Sequence, residues 1–525
     1  GPRHWLLWNP PRYEGGDGWG SGRRTSSHVE TKRLFVDLVE RGLQTVVFAG
    51  SRQTAERYAS DSADELRARG HHDLADAVGA YQAALTNEKR RELEARLQSG
   101  ELRGVWSTSA LELGVDVGGL DAVLVDGYPG TRMRAFQQAG RAGRGTDPAL
   151  VVLVGGEDQL DQYVLRNPAT LFEKSAEKAV TNPENDQLLP DHVLAAAGEN
   201  WLSPGDDRHF GDTFPDVVAD LESAGELDRR TTDDGIRWLS NGRPHHDMSL
   251  RTVDDREVKL VAKGDVIARL PFKDALRDAH PGAVYHHQGR RYEVTELDLA
   301  TGVAELSRTW ADYYTRVLHD KTITVETDLR ERPLPTREDV PVRFASVTMR
   351  KQITGYERRD GSSGEVLGQR PLDLPETTLS TKALYYTVPR ELERDILAGE
   401  YGPDDTEDFP GSIHAAEHAM ISMFPFEYLC DRGDIGGLST PEHPHTGEPT
   451  VFIYDGYPGG IGLNREAYGE VAGLMETTLA MLRSCDCREG CPACVQSPHC
   501  GNANDPLDKH GAIHLLDGLT DGQRP

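Results

Sequence analysis

The sequence predicts an α/β protein that opens with a doubly wound parallel sheet and ends in an α/β domain gathered around cysteines. Three observations predict it. Over residues 1–157, short apolar runs alternate with helical periodicities, the pattern of strands buried on both faces under crossover helices. Over 246–380 the texture changes to short alternating strands broken by turns. From 381 to 525 helical stretches return, and five of the six cysteines crowd between Cys485 and Cys500. Such crowding argues for a metal site in a reducing compartment and against a disulfide framework.

The elements follow in order. Trp5–Trp8 reads as an opening strand, and 29–41 as a helix with Leu34, Phe35, Leu38 and Val39 on one face. Gln44–Ala49 is a buried strand running into the turn Gly50-Ser51-Arg52. That turn stands at a strand's carboxyl end, where open α/β sheets bind ligands. Helices are expected over 54–69 and 87–99, and strands over 104–108, 122–126 and 150–155. Residues 158–245 read as a connector and a winged helix, with Val193–Ala197 in one helix and Val217, Val218 and Leu221 in the next. A hairpin around Asp233-Asp234-Gly235 forms the wing. Arg229 and Arg230 there are candidates for a DNA backbone, against the reading of a structural spacer. Strands over 258–266, 283–287, 292–297 and 303–306 fit a small barrel or twisted sheet.

The length of 525 residues suggests three or four domains. A formal net charge of -28 excludes a protein coated by nucleic acid over its whole surface, and leaves room for a local basic channel. No apolar run approaches the length of a membrane-spanning helix, so no membrane partner is expected. Gly1-Pro2-Arg3-His4-Trp5 lacks signal-peptide architecture.

The stretch Trp106–Gly145 carries the sharpest signal. It ends in Gln137-Gln138-Ala139-Gly140-Arg141-Ala142-Gly143-Arg144, with two arginines three residues apart. Helical spacing puts both on one face, and two planar guanidinium groups suit the oxygens of a triphosphate. This stretch resembles the second motor lobe of superfamily 2 helicases, with STSALELGVDVG similar to motif V and QQAGRAGR to motif VI. The resemblance implies a RecA-like lobe over 1–157. It implies Arg144 as the arginine finger, Arg141 beside it on the γ-phosphate, and Gln137 and Asp116 near the nucleotide. It implies DNA-backbone contacts at Thr108 and, by similarity to motif IV, at Ser51 and Arg52. An arginine finger acts by stabilising charge that develops during phosphoryl transfer. The chain holds no GxxxxGK[ST] and no acidic DExH-type motif after a strand. ATP and Mg²⁺ are therefore expected only with a first RecA-like lobe, from a longer form of the same chain or from another chain.

In the tail, Cys491-x2-Cys494 forms a chelating knuckle, with Cys487 before it and Cys500 after it. Four thiolates make a closed structural zinc site, and an iron–sulfur cluster takes the same number. Five cysteines compete for four positions. Cys485 is set aside because Cys485-x-Cys487 is a tight chelate and Cys487 is nearer, and His499 is a substitute ligand. His414-Ala415-Ala416-Glu417-His418 matches the inverted zinc-peptidase pattern, and needs a third ligand and a cleft. Asp455-Gly456-Tyr457-Pro458-Gly459-Gly460 reads as a tight turn fixing a strand against a helix.

This tail is similar to the C-terminal zinc domain of bacterial helicases of the mitomycin-repair-factor type and their RecQ-like relatives. The resemblance favours Zn²⁺ and implies a 3′–5′ DNA helicase for repair, working on single-stranded or tailed duplex DNA. It also implies a bacterial cytoplasmic, nucleoid-associated protein with a repair nuclease among its partners. A reading from a different class is a zinc-stabilised DNA-binding or assembly subunit that completes a partner ATPase chain, as in phage defence.

Overall fold

The computed structural model describes residues 1–12, 24–82, 85, 87–112, 119–143, 146–240, 256–287, 290–361, 365–399 and 408–520. Asp116 and Arg144 lie outside the described residues.

The opening sheet holds six strands: β1 (Arg3–Trp8), β2 (Thr45–Ala49), β3 (Val78–Tyr81), β4 (Gly104–Ser107), β5 (Ala122–Asp126) and β6 (Ala149–Val154). Their order is β1-β6-β5-β2-β4-β3, with every pairing parallel. β2, β4 and β5 are buried at every residue, which is why they read as unbroken apolar runs. Alternate residues serve two cores. Val47, Trp106, Leu124 and Val152 pack against Phe35, Val39, Ala55 and Leu66 of the helices Ser27–Glu40 and Arg52–Ala68. Val46, Val123, Val125 and Val151 face the helices Asn87–Gln98, Arg132–Ala139 and Gln159–Arg166.

Next come the helices Leu189–Glu199 and Phe214–Ser223, followed by the hairpin of β7 (Leu227–Thr232) and β8 (Gly235–Ser240). The winged arrangement is thus present, closed by Val193, Phe214, Val218 and Leu227. A five-stranded sheet follows, ordered β10-β9-β13-β12-β11. Its strands are β9 (Glu257–Ala262), β10 (Asp265–Pro271), β11 (Val284–His287), β12 (Arg290–Asp298) and β13 (Val303–Arg308). The single strand expected over 258–266 is broken in two. Lys263 and Gly264 take φ of 54° and 85°, and the chain reverses there.

The last sheet is antiparallel and begins with two long strands, β14 (Tyr313–Leu334) and β15 (Arg337–Asp360). β16 (Val366–Pro371) pairs with one end of β15. The order continues through β17 (Thr377–Thr387) and β19 (Thr450–Asp455) to β18 (Ile435–Thr440). The helices Phe409–Met423, Leu463–Arg483 and Lys509–Thr520 cover one face through Ile413, Met420, Leu474 and Leu515. The expected boundary between 246–380 and 381–525 therefore falls inside β17, and one sheet draws strands from both sides of it. Strand pairing is non-local, so a change of texture along the chain does not mark a domain edge here.

One apolar core runs from the first sheet into the last, with Val151, Val164 and Leu171 in the same cluster as Phe426, Leu384 and Val451. Tyr163 meets Phe426 edge to face at 5.1 Å, and Phe426 is buried. Replacing Phe426 by Ala should cost about 3–5 kcal/mol, the usual range for a buried aromatic. Chemical denaturation checks this, and a loss below about 1 kcal/mol would show that the two sheets do not share a core.

Candidate functional site

The parallel sheet sets the first site. The chain leaves β2 toward β3 and leaves β5 toward β6, so the strand order reverses between β5 and β2. Such a reversal opens a crevice at the strands' carboxyl ends. Ser51 and Arg52 follow β2 and are exposed. Ser51 caps the helix Arg52–Ala68, its Oγ accepting from Thr54 N at 3.0 Å. Thr108 follows β4 and caps a short turn, Oγ1 accepting from Ala110 N at 3.5 Å. The three sequence-selected residues thus stand along one edge. A pair that the sequence did not signal stands with them. Asp126, at the end of β5 with its side chain fully buried, meets His28 Nδ1 at 2.5 Å. Burial lowers the His28 imidazole, but the Asp126 carboxylate outweighs it and holds the group above its ordinary value.

The motif-like segments around Ser109–Glu112 and Arg132–Arg141 are braced to each other. Arg141 donates from Nε and Nη2 to the Glu112 carbonyl at 3.2 and 2.6 Å. Gln138 Nε2 donates to the Glu112 carboxylate at 3.1 Å. Arg3 Nε donates to Ala142 O at 2.9 Å, tying the end of this segment to β1. Gln137 is half-buried beside Met133 and Phe136, which are exposed. Arg141 is held at Glu112 in this arrangement.

Arg229 and Arg230 lie on β7 and are exposed. Arg229 is 3.9 Å from Glu222 of the preceding helix, and Arg230 stands opposite Arg237 across the hairpin. They are not part of the crevice at β2 and β5.

The second site is in the tail. Cys485, Cys487, Cys491 and Cys494 place their sulfur atoms within 4.8 Å of one another. Cys485 lies 3.6 Å from Cys487 and 3.6 Å from Cys491, while Cys494 lies 3.4 Å from Cys487 and 3.7 Å from Cys491. A tetrahedron with metal–sulfur bonds of about 2.3 Å has edges of about 3.8 Å, so the four thiols fit one zinc ion. Hydrogen bonds from Cys487, Cys491 and Cys494 hold the Cys485 thiol far below its ordinary value, and the same contacts push Cys494 far above its own. Four sulfur atoms this close carry their full negative charge only with a cation among them. Cys491 N donates to Cys494 Sγ at 3.2 Å, and buried Lys509 donates to the carbonyls of Cys485 and Cys487 at 2.6 and 2.7 Å.

This geometry corrects the ligand set read from spacing. Cys485 is in the cluster, because it follows directly on the helix Leu463–Arg483, where Lys509 grips its carbonyl. Cys500 is outside the cluster and lies with His414 and His418. The expected tight turn at Asp455 is present: its carboxylate accepts from Gly462 N and Asn464 N at 2.9 and 3.0 Å. In the peptidase-like pattern, Glu417 is buried and accepts from Ser439 Oγ at 2.8 Å, so it is not free to take a proton from a water.

Two family models match segments of the chain. Residues 30–146 match the helicase conserved C-terminal domain, and residues 416–495 match the MrfA Zn-binding domain. Each match is confined to its own segment of the chain. Along 94% of its length it is 30% identical to the uncharacterized ATP-dependent helicase YprA of Bacillus subtilis, covering 64% of that protein. Along 98% it is 26% identical to the ATP-dependent helicase hrq1 of Schizosaccharomyces pombe, covering 49% of it. The crystal structure of the DUF1998 helicase MrfA bound to DNA superposes with a TM-score of 0.66 at 28% identity, over 98% of this chain and 66% of that one. MrfA bound to DNA and AMPPNP gives a TM-score of 0.62 at 29% identity, over 98% and 65%. The chain thus spans about half to two thirds of the relatives it matches. Its relatives are ATP-dependent helicases, and its mixed α/β architecture is that of MrfA. Among the described residues no helix is long and apolar enough to cross a membrane.

Cobalt(II) loaded in place of zinc reports the ligand set. Cys485→Ser should abolish the tetrathiolate absorption, and Cys500→Ser should leave it in place. The reverse pattern would restore the ligand set that spacing suggested.

Proposed function

We propose that this chain is the second-lobe and tail portion of an ATP-dependent 3′–5′ DNA helicase that acts in DNA repair. The observation that carries this reading is the bracing of the Arg132–Arg141 segment on Glu112, beside a sheet edge that presents Ser51, Arg52 and Thr108. In this reading Arg144 is the arginine finger, and Arg141 beside it reaches the γ-phosphate by exchanging its bonds to the Glu112 carbonyl. Gln137 and Asp116 line the nucleotide side, while Ser51, Arg52 and Thr108 hold the DNA backbone. Arg229 and Arg230 on the wing add phosphate contacts away from the cleft. ATP and Mg²⁺ bind to a phosphate-loop lobe facing this one, and supply the phosphoryl group and its charge compensation.

The chain's own part is to hold guanidinium groups rigidly where charge develops, and to exchange DNA contacts as the facing lobe moves. Single-stranded or tailed duplex DNA is the substrate. A local path suffices for it, because the net charge of -28 opposes binding over the whole surface. The tail zinc is structural, since its four protein thiols leave no open position. In a second arrangement another chain supplies the phosphate-loop lobe, as in a phage-defence assembly, and the lack of a GxxxxGK[ST] motif in these residues fits that arrangement too.

Two assays test the proposal. The chain by itself should not turn over ATP. Once joined to a phosphate-loop lobe, it should unwind 3′-tailed duplexes, and Arg144→Ala should lower kcat about 10³-fold or more with DNA affinity nearly unchanged. ATP turnover by the chain alone, or equal loss of hydrolysis and DNA binding in Arg144→Ala, would contradict it.

A further inference from the structure

The helix Phe409–Met423 meets the loop after the four-thiol cluster at three donors that the cluster does not use. His414 Nε2 lies 3.6 Å from Cys500 Sγ. With His418 they form a group whose ligand atoms lie within 4.8 Å of one another. The two imidazoles are one helical turn apart, with ring centres separated by 4.3 Å.

Both rings are oriented from behind. His414 Nδ1 bonds to Pro506 O at 2.8 Å, and His418 Nδ1 bonds to Val495 O at 2.9 Å. A carbonyl oxygen can only accept, so Nδ1 carries the proton and Nε2 of the neutral ring keeps its lone pair. Backbone carbonyls fix the rings of metal-ligating histidines in this way. His418 is only 6% exposed, and its Nδ1 is taken up by the Val495 carbonyl. A thiol–imidazole hydrogen bond between Cys500 and His414 would account for that contact alone. It does not involve His418, whose ligand atom also lies within 4.8 Å of the other two.

Cys500 is held as firmly as the histidines. Arg316 Nη2 donates to Ser497 O and to Cys500 O, each at 3.1 Å. Ser497 N donates to Asn504 Oδ1 at 2.7 Å, and Asn504 N points to Cys500 Sγ at 3.4 Å. Gly501 lets this loop lie against β14, because a Cβ there would stand 2.5 Å from His319 O.

We propose that His414 Nε2, His418 Nε2 and Cys500 Sγ form a second metal site, for zinc or a zinc-like divalent cation. Two imidazoles and one thiolate are the donor set that such cations prefer. Three protein donors leave one tetrahedral position for water. The ion would clamp the 497–504 loop to the helix beside the tetrathiolate centre, the two sites being linked through Val495, the residue after Cys494. This site stands independently of the helicase reading.

The test is metal stoichiometry on the full chain, loaded with excess zinc and freed of unbound ion. Wild type should hold about two zinc ions per chain, and Cys500→Ser and His418→Gln about one each. Both variants should keep the tetrathiolate absorption of cobalt(II). X-ray absorption of the wild type should show nitrogen and sulfur neighbours. About one ion in the wild type, a sulfur-only shell, or two ions retained in both variants would overturn the proposal. The wild-type count decides the matter even where a variant fails to fold.

Discussion

Four sulfur atoms within 4.8 Å of one another cannot all be charged without a cation between them, and much of the tail's geometry follows from that constraint. The segment 485–494 has few apolar side chains with which to order itself, and a metal supplies the crosslink that a small core cannot. Lys509 is buried against the carbonyls of Cys485 and Cys487, so the last helix is registered to the cluster. The helix Leu463–Arg483 is fixed at its other end by Asp455 and Asn464.

The cluster also touches the side of the parallel sheet. Cys485, Cys487 and Cys494 belong to the same apolar core as the helix Gln159–Arg166, which follows directly on the first sheet. Gln159 Nε2 donates to Gln496 O at 2.8 Å, two residues beyond Cys494, and Arg166 donates to Ser484 O at 2.9 Å, one residue before Cys485. Arg432 joins Gln159 to Ser497 with bonds of 3.0 and 3.2 Å. The tail ordered around the thiol cluster is thus built into the backing of the parallel sheet.

The parallel sheet was legible in the sequence because strands buried on both faces read as apolar runs. Gln44–Ala49 and Ala122–Asp126 correspond closely to β2 and β5. β3 was missed, since Val78–Tyr81 is a four-residue edge strand containing a glycine. The motif around Arg141 was legible as a helix end with spaced arginines, but its partner Glu112 was not, because 29 residues separate them. His28 and Asp126 are 98 residues apart and carry no local pattern at all. Cysteine spacing found the cluster and misassigned one ligand. Chain distance could not show that the 497–504 loop turns back on itself through Ser497 and Asn504, carrying Cys500 to the histidines.

A metal in the four-thiol cluster would hold the tail and the parallel-sheet lobe as one unit. Amide hydrogen exchange, followed with zinc bound and after chelation, tests it most directly. The account predicts that chelation speeds exchange in 484–500 and also in the helix Gln159–Arg166 and in β5 and β6 of the parallel sheet. Faster exchange confined to 484–500, with β5 and β6 unchanged, would contradict it.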